Sequence, residues 1–168
     1  MQIKEALHQA KNILSKSTTP ELDSRLLLCK ILSITYEQLL LAYTEALSAN
    51  DKEEFFKLVD IRKSGKPIAY IIGKQEFYGL EFIVDKNVLI PRPETELLVE
   101  CVINDYKERF INKSVKILEL GTGSGAISIS LAKYIITSQI TAVDISDTAL
   151  HIARTNAKNH QLEKQINF

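Results

Sequence analysis

The sequence predicts an α/β protein: a small N-terminal helical bundle, a β-hairpin connector, and then the first part of a parallel sheet. Three observations carry this. From residue 1 to about 72, apolar residues recur at helical spacing and at no other. At Gln75 the pattern changes to short aromatic and β-branched runs broken by turn residues. From Val115 the order is strand, glycine turn, helix, strand and acid: Val115–Leu120, Gly121-Thr-Gly-Ser-Gly125, Ala126–Ala132, Ile140–Val143 and Asp144. That order places a ligand at the carboxyl end of parallel strands.

The expected domains are 1–73 helical, 74–92 hairpin connector and 93–168 sheet. In the first, Ile3, Leu7, Ala10 and Leu14 mark one helix face. Thr18-Thr-Pro20-Glu21 has the hydroxyl, early proline and acid of a helix start, followed by Leu22, Leu26, Cys29 and Leu32 on one face. Thr35-Tyr-Glu-Gln38 is a second cap and Ser48-Ala-Asn-Asp51 a third. Phe55, Leu58, Val59 and Arg62 then share a side, and Lys63-Ser-Gly65 ends that helix. A short turn of helix runs from Pro67 to Gly73. In the connector, Glu76–Val84 reads as a strand, Asp85-Lys-Asn87 as a turn and Val88–Ile90 as the returning strand. Pro91-Arg-Pro-Glu-Thr-Glu96 stops the strand, since proline cannot pair in a ladder. Leu97, Leu98, Cys101, Val102 and Tyr106 give the next helix a face for the sheet. Beyond Asp144, Ser146 caps a helix carrying Leu150, Ala153 and Ala157, and Gln165–Phe168 begins a third strand. Doubly wound sheets have five or more strands, so the sequence reads as the front part of a longer protein.

Composition narrows the function classes. Hydrophobic residues make up 45% and charged residues 25% of the chain, with a net charge of +0, so no overall field gathers nucleic acid or anionic membrane. The start lacks an apolar signal core and carries Glu5. Charges interrupt every apolar run that could approach a membrane span. Cys29 and Cys101 have no metal-ligand or disulfide spacing and read as small core residues, and a reducing cytosol is the expected setting. No metal is expected. His8 is a surface residue with no partner at metal spacing, and Asp51-Lys-Glu-Glu54 is a solvated helix face.

The glycine stretch carries the chemistry. Glycines let a ligand approach the backbone, and the following helix aims its unpaired N–H groups and positive dipole end at it. Asp144, ending the second strand, is placed to accept hydrogen bonds from two ribose hydroxyls. Gly121-x-Gly-x-x-Ala126 satisfies a dinucleotide fingerprint, whereas Glu119-Leu-Gly-Thr-Gly-Ser-Gly125 satisfies the acid-x-G-x-G-x-G pattern of S-adenosylmethionine sites. Glu119 favours the second. An acid in an apolar strand requires a partner. A cationic amino-acid group or loop N–H groups supply one, and a pyrophosphate would be repelled.

Glu119–Gly125, Asp144, Pro67-Ile-Ala-Tyr-Ile-Ile-Gly-Lys-Gln-Glu-Phe-Tyr-Gly79 and Ile90-Pro-Arg-Pro-Glu-Thr-Glu96 together resemble the peptide-chain-release-factor glutamine N5-methyltransferases, the HemK or PrmC family. The resemblance covers the whole chain. It implies a class I S-adenosylmethionine-dependent methyltransferase with a Rossmann-like sheet. It also implies methyl transfer to the glutamine amide nitrogen of the Gly-Gly-Gln motif in class I release factors, with the helical domain docking the protein substrate. Gly121, Thr122, Gly123, Ser124 and Gly125 with Asp144 would line the cofactor, Glu119 would support them, and Arg92 and Glu94 would lie on the substrate side. The plainer reading of Arg92 and Glu94 is a strand-to-helix corner with a surface ion pair. The family's Asn-Pro-Pro-Tyr clamp does not occur among these 168 residues, so the isolated chain is expected not to turn over. The alternatives are a nucleic-acid amino methyltransferase, an NAD-dependent oxidoreductase and a non-catalytic binding module.

Overall fold

The computed structural model describes residues 1–168. It divides into two compact units, Met1–Ile72 and Gly73–Phe168.

The first unit is all-helical: α1 (Ile3–Ile13), α2 (Pro20–Leu32), α3 (Tyr36–Leu41), α4 (Ala49–Lys63) and α5 (Ile68–Ile72). Thr35 and Gln38 form a reciprocal capping box on α3, and the Ser48 hydroxyl accepts from the Asp51 N–H on α4. Each satisfies amide donors that a helix start leaves open. Ile3, Leu7, Ala10, Leu14, Leu27, Leu28, Leu39, Phe55 and Val59 make the core.

Helix α2 departs from the sequence expectation. Its inward face is Asp23, Ser24, Leu27 and Leu28, whereas Leu22 is exposed and Leu26, Cys29 and Leu32 are only partly covered. The reason is an ion pair that periodicity cannot see. Asp23 is 1% exposed and accepts from Arg62 Nε at 2.7 Å, Ser17 Oγ at 2.6 Å and Thr19 Oγ1 at 3.0 Å. Thr19 therefore does not cap the helix; its hydroxyl serves the buried acid. Arg62 also donates to Ser17 Oγ at 3.0 Å and to the Lys66 carbonyl at 3.1 Å. Burying an acid is tolerable when it is both paired and hydrogen-bonded.

The second unit begins with a hairpin, β1 (Lys74–Phe77) and β2 (Leu80–Ile83), paired antiparallel with Phe77 opposite Leu80. Its turn is Tyr78-Gly79, with φ of 51° and 70°. Two positive φ angles form the turn whose twist matches paired strands. The hairpin lies earlier in the chain than the sequence pattern predicts. Asp85–Asn87 does turn, with the Asn87 N–H on Asp85 Oδ1 at 2.8 Å, but Val88–Ile90 does not pair as a strand. Phe77 and Phe82 are fully buried and meet edge to face, which is what anchors the hairpin.

A 3-10 turn at Pro93–Thr95 leads into α6 (Glu96–Arg109). Val99 and Ile103 form its buried line, and Leu97, Leu98 and Cys101 face outward, contrary to the sequence reading. Apolar residues lie on more than one side of this helix, so spacing alone misplaces its face. Cys101 is thus not a core residue, and Cys29 is half-buried. Then follow β3 (Val115–Leu120), α7 (Ala126–Tyr134), β4 (Ser138–Val143), α8 (Asp147–Asn159) and β5 (Ile166–Asn167). The strands are parallel in the order β3-β4-β5. This is a partial Rossmann-like sheet. Ser138, Ile140 and Ala142 are buried on one face of β4, while Leu118, Leu120 and Val143 stay exposed on the alternate face.

Candidate functional site

Parallel pairing of Leu120 with Val143 brings the carboxyl ends of β3 and β4 side by side. The Val143 carbonyl accepts from both Gly121 N–H at 2.8 Å and Thr122 N–H at 3.0 Å. Asp144 accepts the Gly123 N–H at 2.8 Å through Oδ2 and the Ser146 N–H at 3.0 Å through Oδ1. The acid at the end of the second strand thus fixes the loop that ends the first. Each carboxylate oxygen keeps a further lone pair for a ligand.

Gly121, Gly123 and Gly125 all have positive φ, and Gly125 leads directly into α7. The first-turn amides of α7 have no partner within the helix and open toward the loop. Gly125 is required for a second reason. An added Cβ would sit 2.9 Å from Ile129 Cδ1 and 3.2 Å from Ala153 Cβ, at φ +81°. Gly125→Ala is therefore expected to cost about 2 kcal/mol, from left-handed strain and overpacking together. Urea unfolding of the variant measures it.

Glu119 lies beneath the loop. Its Oε2 accepts from Thr122 Oγ1 at 2.8 Å and from Ser128 Oγ. Its partners are therefore groups of this chain: a hydroxyl in the loop, and the Ser128 hydroxyl with its backbone N–H in α7. Burial pushes the Glu119 carboxyl above its ordinary value, the Ser128 and Thr122 hydroxyls pull it back, and the nearby Asp144 charge adds to the rise. The consequence for stability has a definite sign. The folded state holds this proton more tightly than the unfolded chain, so stability falls as pH rises from 4.5 through the raised value, and stays lower above it. Glu119→Gln is expected to remove that slope and to leave neutral-pH stability equal or higher. Denaturant unfolding between pH 5 and pH 7.5 checks this; an unchanged slope would contradict it.

A cleft of about 220 Å³ joins these parts. Phe77, Leu89, Ile90, Pro91, Arg92 and Thr95 line one side, and Glu119, Gly121–Ser124, Ala126 and Ile127 the other. Of the sequence-predicted residues, Glu119, Thr122, Gly121, Gly123, Ser124 and Arg92 meet here. Asp144 stands behind the loop, and Gly125 sits at its junction with α7. Glu94 is exposed and does not line the cleft. The ion pairs of this unit join Lys74 to Glu81 and Arg109 to Asp105, so Arg92 and Glu94 do not form the expected corner pair. Sequence reasoning missed Ser128 and Asn156. Both are polar residues at buried helix positions, Asn156 on an otherwise apolar face of α8 and Ser128 beside the buried Ser130 on α7.

Residues 5–73 match the family described as PrmC N-terminal domain, and residues 111–168 match the family described as methyltransferase domain. The chain is 40% identical over 151 residues to the release factor glutamine methyltransferase of Rhodopirellula baltica, a match covering 89% of this chain and 51% of that protein. With the release factor glutamine methyltransferase of Chlorobaculum tepidum it shares 39% identity over 155 residues, covering 91% and 53%. It also shares 40% identity over 181 residues with a bifunctional methyltransferase of Rickettsia typhi, covering 98% of this chain and 35% of the relative. The chain thus spans about half the length of the release factor methyltransferases it matches, and about a third of the bifunctional one. The glycine loop, Glu119 and Asp144 all fall inside the methyltransferase domain match. No helix is long and apolar enough to cross a membrane.

Proposed function

We propose that the methyltransferase domain binds S-adenosylmethionine at the glycine loop, and that a polypeptide carrying this chain methylates the glutamine side-chain amide of the Gly-Gly-Gln motif in class I peptide chain release factors. The observation that carries the reading is the pairing of two carboxylates with one glycine loop: Asp144 at its side and Glu119 at its base. An anionic floor suits a cofactor with a cationic amino-acid end and disfavours a pyrophosphate.

When bound, the cofactor supplies a methyl group on a positively charged sulfur. Gly121–Gly125 bring the backbone against it, Asp144 accepts from its ribose hydroxyls, and Glu119 balances its positive end. Arg92, on the opposite wall of the cleft, belongs to the acceptor side. Glu94, two residues on and exposed, lies in the same segment outside the cleft and is assigned to the substrate side with Arg92. An amide nitrogen is a weak nucleophile, so the work required is alignment of donor and acceptor. The helical domain, residues 1–73 by the sequence pattern, serves to dock the release factor, and the setting is the cytoplasm. Support comes from the names of the relatives at 38–40% identity and from the PrmC N-terminal match.

The test is incorporation of labelled methyl from S-adenosylmethionine by a polypeptide carrying this chain. Label in the Gly-Gly-Gln glutamine of a class I release factor is expected, with none in duplex DNA or RNA. Label in nucleic acid and not in the release factor would overturn the substrate assignment.

A further inference from the structure

Asn156 lies on α8, 0% exposed, on the face that otherwise carries Ala149, Ile152, Ala153 and Ala157. All three of its side-chain hydrogen bonds go to backbone. Its Nδ2 donates to the Ile83 carbonyl at 3.0 Å and to the Ser124 carbonyl at 2.9 Å, and its Oδ1 accepts from the Ile83 N–H at 2.8 Å. Ile83 ends β2, and Ser124 is in the glycine loop.

The hairpin register explains why Ile83 is available. Phe77 opposite Leu80 closes the two-residue turn, so alternate residues of β2 point their N–H and C=O groups away from β1. Glu81 and Ile83 are those residues. Such a free strand edge normally takes another strand. Here it is met by side chains of α8 and its C-cap: Asn156 takes both groups of Ile83, and His160 Nε2 meets the Glu81 carbonyl at 2.8 Å. One amide therefore completes the hairpin edge and, by its second N–H, holds the loop. The two tied segments reach opposite walls of the cleft: the hairpin supplies Phe77 on the wall that continues through Leu89–Arg92, and Ser124 belongs to the glycine-loop wall.

We propose that Asn156 is a positioning residue that sets the glycine loop against the hairpin-side wall of the cleft, so that the cofactor wall and the acceptor wall move as one body. The proposal rests on the cofactor reading above for its functional consequence; the mechanical link between hairpin and loop stands apart from it. Binding at the loop stabilises Asn156's bonds to Ile83, and loss of those bonds loosens the loop, because coupling between two sites is reciprocal.

The experiment has two readouts on the 168-residue chain: amide hydrogen exchange, and calorimetric titration with S-adenosylmethionine. Asn156→Ala is compared with Ala157→Gly, which weakens the same helix and leaves the Asn156 hydrogen bonds to Ile83 and Ser124 in place. In Asn156→Ala, exchange at Ile83, Gly123 and Gly125 is expected to accelerate together, and cofactor affinity to fall about ten-fold, the loss of roughly one charge-free hydrogen-bond set. If Ala157→Gly produces the same exchange pattern and the same affinity, Asn156 is merely structural and the proposal is overturned. If the wild-type chain binds no S-adenosylmethionine, the cofactor reading fails, and the exchange comparison alone decides the link. Should Asn156→Ala not fold, the wild-type chain decides instead: cofactor addition must slow exchange at Ile83 as well as at Gly123. Protection of Gly123 with Ile83 unchanged contradicts the coupling.

Discussion

Arg62→Ala is expected to cost the helical unit about 3–5 kcal/mol, because it strands the Asp23 carboxylate inside the bundle. Asp23 is 1% exposed, and Arg62 Nε is its one cationic partner, at 2.7 Å. The Ser17 and Thr19 hydroxyls would remain but carry no compensating charge. The reverse change is milder. In Asp23→Asn the amide oxygen still accepts from Arg62, and the guanidinium, which is partly exposed, can recruit water. A loss of this size is a large share of a domain's usual 5–15 kcal/mol. Amide exchange at Leu27 and Val59, which lie in the core between α2 and α4, reads it directly. Protection retained there in Arg62→Ala would show that the pair contributes little.

Asp144→Ala is expected to weaken S-adenosylmethionine binding by at least about 100-fold. Hydrogen bonds to a charged acceptor contribute about 1.5–3 kcal/mol each, and two would be lost with the ribose while the loop loses its own tether. That tether is the Gly123 N–H at 2.8 Å, with Ser146 N–H at 3.0 Å on the other oxygen. Asp144→Asn keeps one acceptor and is expected to fall between. A titration in which Asp144→Ala binds within three-fold of wild type would remove Asp144 from the site.

Local signals in the sequence were sufficient wherever one residue type has one physical use. Ser48, Thr35 and Gln38 stand at helix starts because their side chains satisfy open amides there. The glycine loop, flanked by apolar strands and followed by Asp144, is legible because no other arrangement needs three positive φ angles in five residues. What was not legible depends on pairs far apart in the chain. Asp23 and Arg62 are separated by 39 residues, and their bond rotates the buried face of α2 away from Leu22. Asn156 reaches back 73 residues to Ile83. The hairpin was displaced because Asp85-Lys-Asn87 is the stronger turn signal by composition, whereas the Tyr78-Gly79 turn is fixed by the packing of Phe77 on Phe82. Glu119 was correctly recognised as needing a partner, but that partner includes Ser128 on the next helix, nine residues on.

The proposed S-adenosylmethionine site at the Glu119–Gly125 loop and Asp144 is distinguished from a dinucleotide site by the ligand it takes. Calorimetric titration of the chain with S-adenosylmethionine and, separately, with NAD tests it most directly. The expected result is single-site binding of S-adenosylmethionine, displaced by S-adenosylhomocysteine and weakened by Asp144→Ala, with no heat from NAD. Saturable binding of NAD without binding of S-adenosylmethionine would contradict it.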